Sequence, residues 1–329
     1  MTDTRILTRS DVQAVLGWDE CIAAVENAFR LHADGRSLSP GVLGVRAPLG
    51  GFHIKAAGLD LGRLYFAAKT NANFSDNPRR HGLPAIQGVI VLCDASDGRP
   101  LAVMDSIEVT IRRTAAATAV AAKHLAEPGA RTATICGCGS QGRAQLRALM
   151  RVRPIGRAYA FDADAAAARA YADELSVELG IDIAPAESLE KALAESDVCV
   201  TCTPSREAFL FREHVRPGTF IAAVGADSSD KQELDPMLMA SAVVVADLLE
   251  QCASIGDLHH ALDAGAMSRA DVHAELADLV VGRKPGRRSA DEITIFDSTG
   301  TALQDVAAAA VVYEKALAGG VGLGVALGE

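Results

Sequence analysis

Nothing in this 329-residue chain approaches the roughly 18 consecutive apolar residues of a membrane-spanning helix, so an integral helical membrane protein is not expected. Basic runs are missing too. With a formal net charge of −10, a nucleic-acid surface is excluded from the candidate functions. The first residues, Met1-Thr-Asp-Thr-Arg5, carry no apolar signal segment, and the expected location is cytoplasmic. Disulfide scaffolding is absent as well: the seven cysteines are an odd number without a secretory context, which fits reduced thiols. Cys199-Val-Thr-Cys202 has the CxxC spacing but lies inside an apolar strand pattern, where the two thiols face opposite sides. His259 and His260 are helix neighbours diverging by about 100° and read as a solvated face. No metal site is expected.

What the chain does have is a short apolar strand, Thr132-Ala-Thr-Ile-Cys136, running into Gly137-x-Gly139-x-x-Gly142 and then a helical run to Met150. A glycine pattern alone is weak, but strand before and helix after are the context that gives it meaning. Gly137 makes the tight turn, Gly139 lets backbone approach a pyrophosphate, and Gly142 lets helix and strand pack closely. The helix start offers free N–H groups to phosphates. The next strand, Arg157-Ala-Tyr-Ala-Phe-Asp162, ends in an acid about 20 residues on, where a carboxylate accepts from the ribose 2′-OH. Residues 163–166 contain no Arg, Ser or Thr to hold a 2′-phosphate, which favours NAD over NADP. Asp162 could also cap a helix beginning near Ala165.

The length suits about two domains. Thr8 is a candidate helix cap, and a second helix spans about 18–34 with Cys21, Ile22, Val25, Ala28 and Phe29 at helical spacing. From Gly41 to Met104 the pattern is of strands, with a hairpin across Asp94–Gly98, followed by a long Ala-rich helix from Ser106 to Leu125. Residues 126–297 alternate strands (132–136, 157–161, 181–184, 197–202, 219–224, 243–246, 293–296) with helices, the signature of a doubly wound parallel α/β sheet. A last helix, about Ala302–Leu317, carries an apolar stripe of Leu303, Val306, Ala307, Ala310, Val311 and Leu317. The expected domains are a discontinuous α+β domain, 1–125 completed by 298–329, and a Rossmann-type domain, 126–297. The tail Gly320-Val-Gly-Leu-Gly324 has no helix after it and is not a second phosphate site.

Several further segments are specific. They are Lys69-Thr-Asn-Ala-Asn73, Gly82-Leu-Pro-Ala-Ile-Gln-Gly-Val-Ile-Val-Leu92, Asp94 to Asp105, and the run from Arg113 to Ala126. Beyond the glycine turn follow Thr203-Pro-Ser205, Val224-Gly-Ala-Asp227, Lys231-Gln-Glu-Leu-Asp235, Pro285-Gly-Arg-Arg-Ser289 and Phe296-Asp-Ser-Thr-Gly300. In this order they resemble the ornithine cyclodeaminase/mu-crystallin family over nearly the whole chain.

The resemblance implies a homodimer built through the first domain. It implies NAD(H) chemistry at the α-carbon of a small amino or imino acid, in a cleft beside the nicotinamide. The substrate carboxylate would be bound by Arg46, Lys69 and Arg113, with Thr299 nearby, and the catalytic proton exchanged at Asp227 with Lys69 as rival donor. Ser140, Gln141, Asp162, Thr203, Val224, Lys231 and Ser298 would line the cofactor with the three glycines. The residues agree: Lys69 ends an apolar strand, where an ammonium needs an anion, and Arg112 and Arg113 point about 100° apart, so one of them faces the cleft. Asp227 follows an apolar strand ending in glycine, where ligands of open sheets bind, although it could instead cap a helix starting near Ser228. One departure stands out. Cyclodeaminases carry a Glu in the strand before the lysine, and His53–Gly58 has no acid, with alanine at position 56. The expected activity is therefore an imine or ketimine reductase or amino-acid dehydrogenase, ahead of a cyclodeaminase with recycled NAD and a non-catalytic mu-crystallin-like binding protein. The insert Asn77–His81 reads as a solvated loop that could instead reach the substrate.

Overall fold

The computed structural model of the chain describes residues 3–74 and 76–327, so the first two residues of the N-terminal segment lie outside it. The chain forms two compact units, Met1–Arg113 with Thr301–Glu329, and Thr114–Gly300. The first cut, after Arg113, falls inside the Ser106–Leu125 helix rather than at its end.

The discontinuous unit holds strands β1 (Thr4–Leu7), β2 (Ser37–Ala47), β3 (Gly50–Asp60), β4 (Leu64–Asn73), β5 (Ile86–Asp94) and β6 (Pro100–Asp105). A C-terminal strand, Leu323–Val325, is the place the glycine-rich tail takes. The sheet runs C-terminal strand–β1–β6–β5–β4–β3–β2. The β5–β6 hairpin closes over Asp94–Gly98, where Gly98 takes φ +80° and donates its N–H to the Asp94 carbonyl at 2.8 Å. Thr8 caps the Arg9–Val15 helix in a reciprocal box with Asp11.

Period-two alternation decides what each face of this sheet meets. Ala57, Leu59, Ala67, Ile90 and Leu92 point to one face and are buried beneath the Ala302–Gly319 helix, which packs on β3 and β4. That helix is itself backed by Trp18–Ala33, through Phe29 and its neighbours. The far end of the stripe differs from the sequence pattern: Leu317 is exposed, and Val312, Tyr313 and Ala316 are the buried residues there. The opposite face carries cross-strand rows Leu43–Ile54–Thr70–Val89 and Val45–Phe52–Ala72–Gln87. Leu43, Val45, Phe52 and Val89 are exposed on it. Asn77–His81 is a short helix, not an extended loop.

The contiguous unit holds β7 (Thr132–Cys136), β8 (Arg157–Phe161), β9 (Asp182–Pro185), β10 (Val198–Thr201), β11 (Phe220–Ala223), β12 (Val243–Ala246), β13 (Ala274–Glu275) and β14 (Thr294–Asp297). All pairings are parallel, in the order β13–β12–β14–β11–β10–β7–β8–β9. The chain winds outward from β7 through β8 to β9, then crosses to β10 on the other side. The crevice that binds ligands in such sheets therefore opens between β7 and β10. β13 was not visible in the sequence, since two residues carry no periodicity. Cys202 lies one residue past β10, and the rings of His259 and His260 do not diverge but meet edge to face at 5.1 Å. No helix of the described residues is long and apolar enough to cross a membrane.

Candidate active site

Two sets of residues gather, one in each unit. In the discontinuous unit the register puts Val42, Lys55, Lys69 and Ile90 in one cross-strand row. Lys69 is 3 % exposed and Arg113 4 %. Buried cations need an anion close by, and Asp305 supplies it from the first turn of the Ala302–Gly319 helix. Its Oδ1 accepts from Lys69 Nζ at 2.9 Å and from Arg113 Nε at 2.8 Å, and its Oδ2 lies 2.8 Å from Lys69 Nζ. Gln304 Oε1 accepts from Arg113 Nη1 at 3.0 Å. Asp305 and Gln304 thus fix the plane of the guanidinium.

Burial pushes Lys69 down to about 7, the charge of Arg113 adds to this, Asp305 opposes it, and Lys55 across the strand pair lowers it further. Asp305 itself is held below the usual carboxylate range by Arg113 and Lys69, against the effect of burial. Arg112 diverges as its helix position requires: it donates to Glu108 at 2.7 Å and lies over the Trp18 ring. Arg46 does not join this cluster. It is exposed on edge strand β2, on the same face but four residues beyond the Lys55 row, which is about 13 Å along a strand. Nor is Ala56 the β3 position that faces Lys69; Lys55 is.

In the contiguous unit the glycine turn has the geometry a dinucleotide needs. Gly137 takes φ +102°, and a Cβ on Gly142 would lie 2.0 Å from the Gly137 carbonyl. Around Gly139 nothing stands within 4 Å of an added Cβ, so the backbone is open to approach. The Ser140–Leu149 helix starts there without a side-chain cap, and its first N–H groups, at Ser140, Gln141 and Gly142, point outward as donors. Asp162 ends β8 and accepts from Cys138 N at 2.8 Å and from Asp164 N at 3.0 Å. The helix cap is Asp164, not Asp162. Arg143, the cation at this corner, is engaged by Glu174 at 2.9 Å and by the Cys138 carbonyl. These residues fit NAD: glycine backbone and helix start for the pyrophosphate, a carboxylate for the ribose diol.

Thr203, Val224 and Ser298 follow the adjacent strands β10, β11 and β14, so the sheet sets them side by side. Asp227 lies three residues after Val224, half-exposed, with Lys231 Nζ 2.6 Å from its Oδ1. No helix begins at Ser228. Buried Asp247 accepts from Ser298 Oγ, Thr299 Oγ1 and Gly300 N, at 3.3, 3.1 and 2.7 Å. Gln251 donates to Thr299 Oγ1 at 2.7 Å. Sequence reasoning missed Lys55, Asp247, Gln251, Gln304 and Asp305. The available signal was polarity out of place: Gln304 and Asp305 interrupt an otherwise apolar run from Ala302 to Ala310.

Alanine dehydrogenase of Archaeoglobus fulgidus is 40% identical to this chain over 323 residues, covering 97% of each chain. An archaeal alanine dehydrogenase dimer solved with bound NAD superposes with a TM-score of 0.94, at 40% identity over 99% of both chains. The Δ1-pyrroline-2-carboxylate reductase of Thermococcus litoralis, solved with NADH and L-proline, gives a TM-score of 0.94 at 35% identity, over 98% of this chain and 100% of that one. The profile of the ornithine cyclodeaminase/mu-crystallin family matches residues 2–320, and the chain belongs to that family.

Proposed function

We propose that this chain is an NAD(H)-dependent oxidoreductase acting at the α-carbon of a small amino or imino acid, as an imine or ketimine reductase or an L-amino-acid dehydrogenase. The observation that carries this reading is the buried Lys69–Asp305–Arg113 cluster, present in a chain that also has a complete dinucleotide turn. NAD, when bound, supplies or accepts the hydride. Lys69 and Arg113 grip the α-carboxylate. The guanidinium, with Nε and one Nη already committed to Asp305 and Gln304, presents its remaining N–H groups in a fixed plane. Asp227 exchanges a proton with the substrate nitrogen and offsets the iminium charge, since a protonated C=N is the better hydride acceptor. Arg46 starts about 13 Å along the strand from the Lys55 row, so it would reach the carboxylate only with its side chain extended toward that row. Thr203, Val224, Lys231 and Ser298 would flank the nicotinamide half of the cofactor.

Cyclodeaminase chemistry has less support. Closing a ring needs a group for the distal amine of a diamine, and the β3 position facing Lys69 carries Lys55, a cation that repels one. Loss of catalysis, as in a pure binding protein, is opposed by Lys69, Arg113 and Asp227 standing together in one sequence. The exposed apolar face of β2–β5 suits a second copy of this chain, as an antiparallel sheet ordinarily turns a polar face to water. The archaeal relative solved as a dimer supports that reading.

Kinetic and hydrodynamic measurements test these assignments. A panel of 2-oxo acids with ammonia or methylamine, plus cyclic ketimines, should show steady NADH oxidation for at least one substrate. NADH should exceed NADPH by about tenfold or more in kcat/KM (about 1.4 kcal/mol); no net NADH consumption with any of them would remove the reductase reading. Asp227→Asn should lower kcat by about a hundredfold, within the usual range for a positioned acid–base group, with NADH affinity retained; near-normal turnover moves the proton to Lys69 or water.

The pH dependence tests the clamp. Lys69 is protonated, and binds carboxylate, below its value of about 7, so kcat/KM for the substrate should fall as pH rises through that value. Asp305 raises Lys69, so Asp305→Asn should shift this limb to lower pH and cost about tenfold or more at pH 7.5. An unmoved limb would separate Asp305 from Lys69 function. Finally, sedimentation should give about twice the 34.2 kDa chain mass, with Phe52→Glu dissociating the dimer; a Phe52→Glu protein of unchanged mass would place the interface elsewhere.

A further inference from the structure

Glu233 has no role in the assignments above, yet it is fully buried and its carboxylate spans two strand ends. Oε1 accepts from Thr203 N at 2.6 Å and Thr203 Oγ1 at 2.7 Å. Oε2 accepts from Thr201 Oγ1 at 2.6 Å and Gly225 N at 2.8 Å. Thr201 ends β10, Thr203 lies two residues beyond it, and Gly225 follows β11. All four donors are neutral, and between them they offset part of the cost of burying a carboxylate. Gly225 has to be glycine: a Cβ there would meet the Glu233 carboxyl carbon at 2.4 Å and the Thr203 carbonyl at 2.5 Å.

The bracket is itself held from below. Asp257 Oδ1 accepts from Glu233 N at 2.8 Å and Leu234 N at 2.9 Å, and the next residue, Leu258, donates its N–H to Asp297 at the end of β14. Burial, with the negative charge of Asp257 adding, pushes Glu233 up to about 7. A doubly wound sheet binds the two halves of a dinucleotide over its two halves. The glycine turn and Asp162 belong to β7 and β8, whereas Glu233 acts only on β10 and β11.

We propose that Glu233 is a positioning residue for the nicotinamide half of the cofactor, setting the spacing of the Thr203 and Val224–Asp227 segments by clamping both strand ends with one carboxylate. This rests on the NAD(H) reading, and NADH binding by the wild-type chain tests that reading separately.

Adenosine diphosphate ribose, which lacks the nicotinamide, separates local positioning from general damage. In Glu233→Gln, whose amide puts N–H donors against the donors it must accept from, the NADH Kd read by cofactor fluorescence should rise at least about tenfold. The Kd of adenosine diphosphate ribose, read by calorimetry, should change less than twofold. Thr201→Val removes one of the four bonds with little change of shape, and should raise the NADH Kd about threefold with the same selectivity; it decides the matter if Glu233→Gln does not fold. Equal weakening of both ligands, or no weakening of NADH binding, overturns the proposal. Wild-type protein that binds no NADH would instead remove the reading beneath it.

Discussion

The chemistry of the discontinuous unit depends on one constraint: Lys69 and Arg113 are almost wholly out of water, and two cations there repel each other as well as losing hydration. Asp305 resolves both difficulties at once. It touches each cation within 3 Å and is placed by a helix that the sheet already buries for its apolar side chains. Packing of Val306, Ala307 and Ala310 therefore sets where the two cations point. One carboxylate against two cations leaves the cluster with a net positive charge, which the α-carboxylate of the proposed substrate would answer. Burial, with that surplus of positive charge adding to it, accounts for the low position of Lys69.

The contiguous unit solves a related problem with opposite charges. Parallel strands end in loops whose N–H groups have no ladder partner, and the ends of β10, β11, β12 and β14 lie side by side. Glu233, Asp247, Asp257 and Asp297 are all fully buried there and accept from these N–H and hydroxyl groups. Carboxylates do this well because each oxygen takes two donors. The loops that carry Thr203, Asp227 and Thr299 are consequently tied to the sheet while remaining outside any regular element.

How much of this was legible in the sequence follows from the range of each interaction. The glycine turn, Asp162, the helices at 18–33 and 106–125 and seven of the eight parallel strands rest on local periodicity and local turn chemistry, and these were read to within a residue or two. Arg113 was selected over Arg112, and the structure gives them separate partners as the helix angle requires. Asp305 was not found, because it meets Lys69 across 236 residues and nothing local marks it beyond its polarity among alanines. Glu233, inside the Lys231–Asp235 segment, carries no local signal for the same reason: its partners lie 8 to 32 residues away. Arg46 sits on the Lys55 face of β2, but the register of β2 on β3 starts it four residues from that row, an offset that strand pairing and not local pattern sets.

The discontinuity of the first unit has a consequence for how the protein is made. Residues 114–300 are contiguous and can complete their sheet as soon as they leave the ribosome. The other unit must wait, since β1, made first, pairs with a strand made last, Thr4 opposite Val325. Until the final helix emerges, Lys69 lacks its carboxylate and the inner face of the sheet lacks its cover. Synthesis order thus lets the contiguous unit close before the discontinuous one. It also makes the Ala302–Gly319 helix and the strand after it, which carry few of the recognisable motifs, the segment on which completion of the discontinuous unit waits.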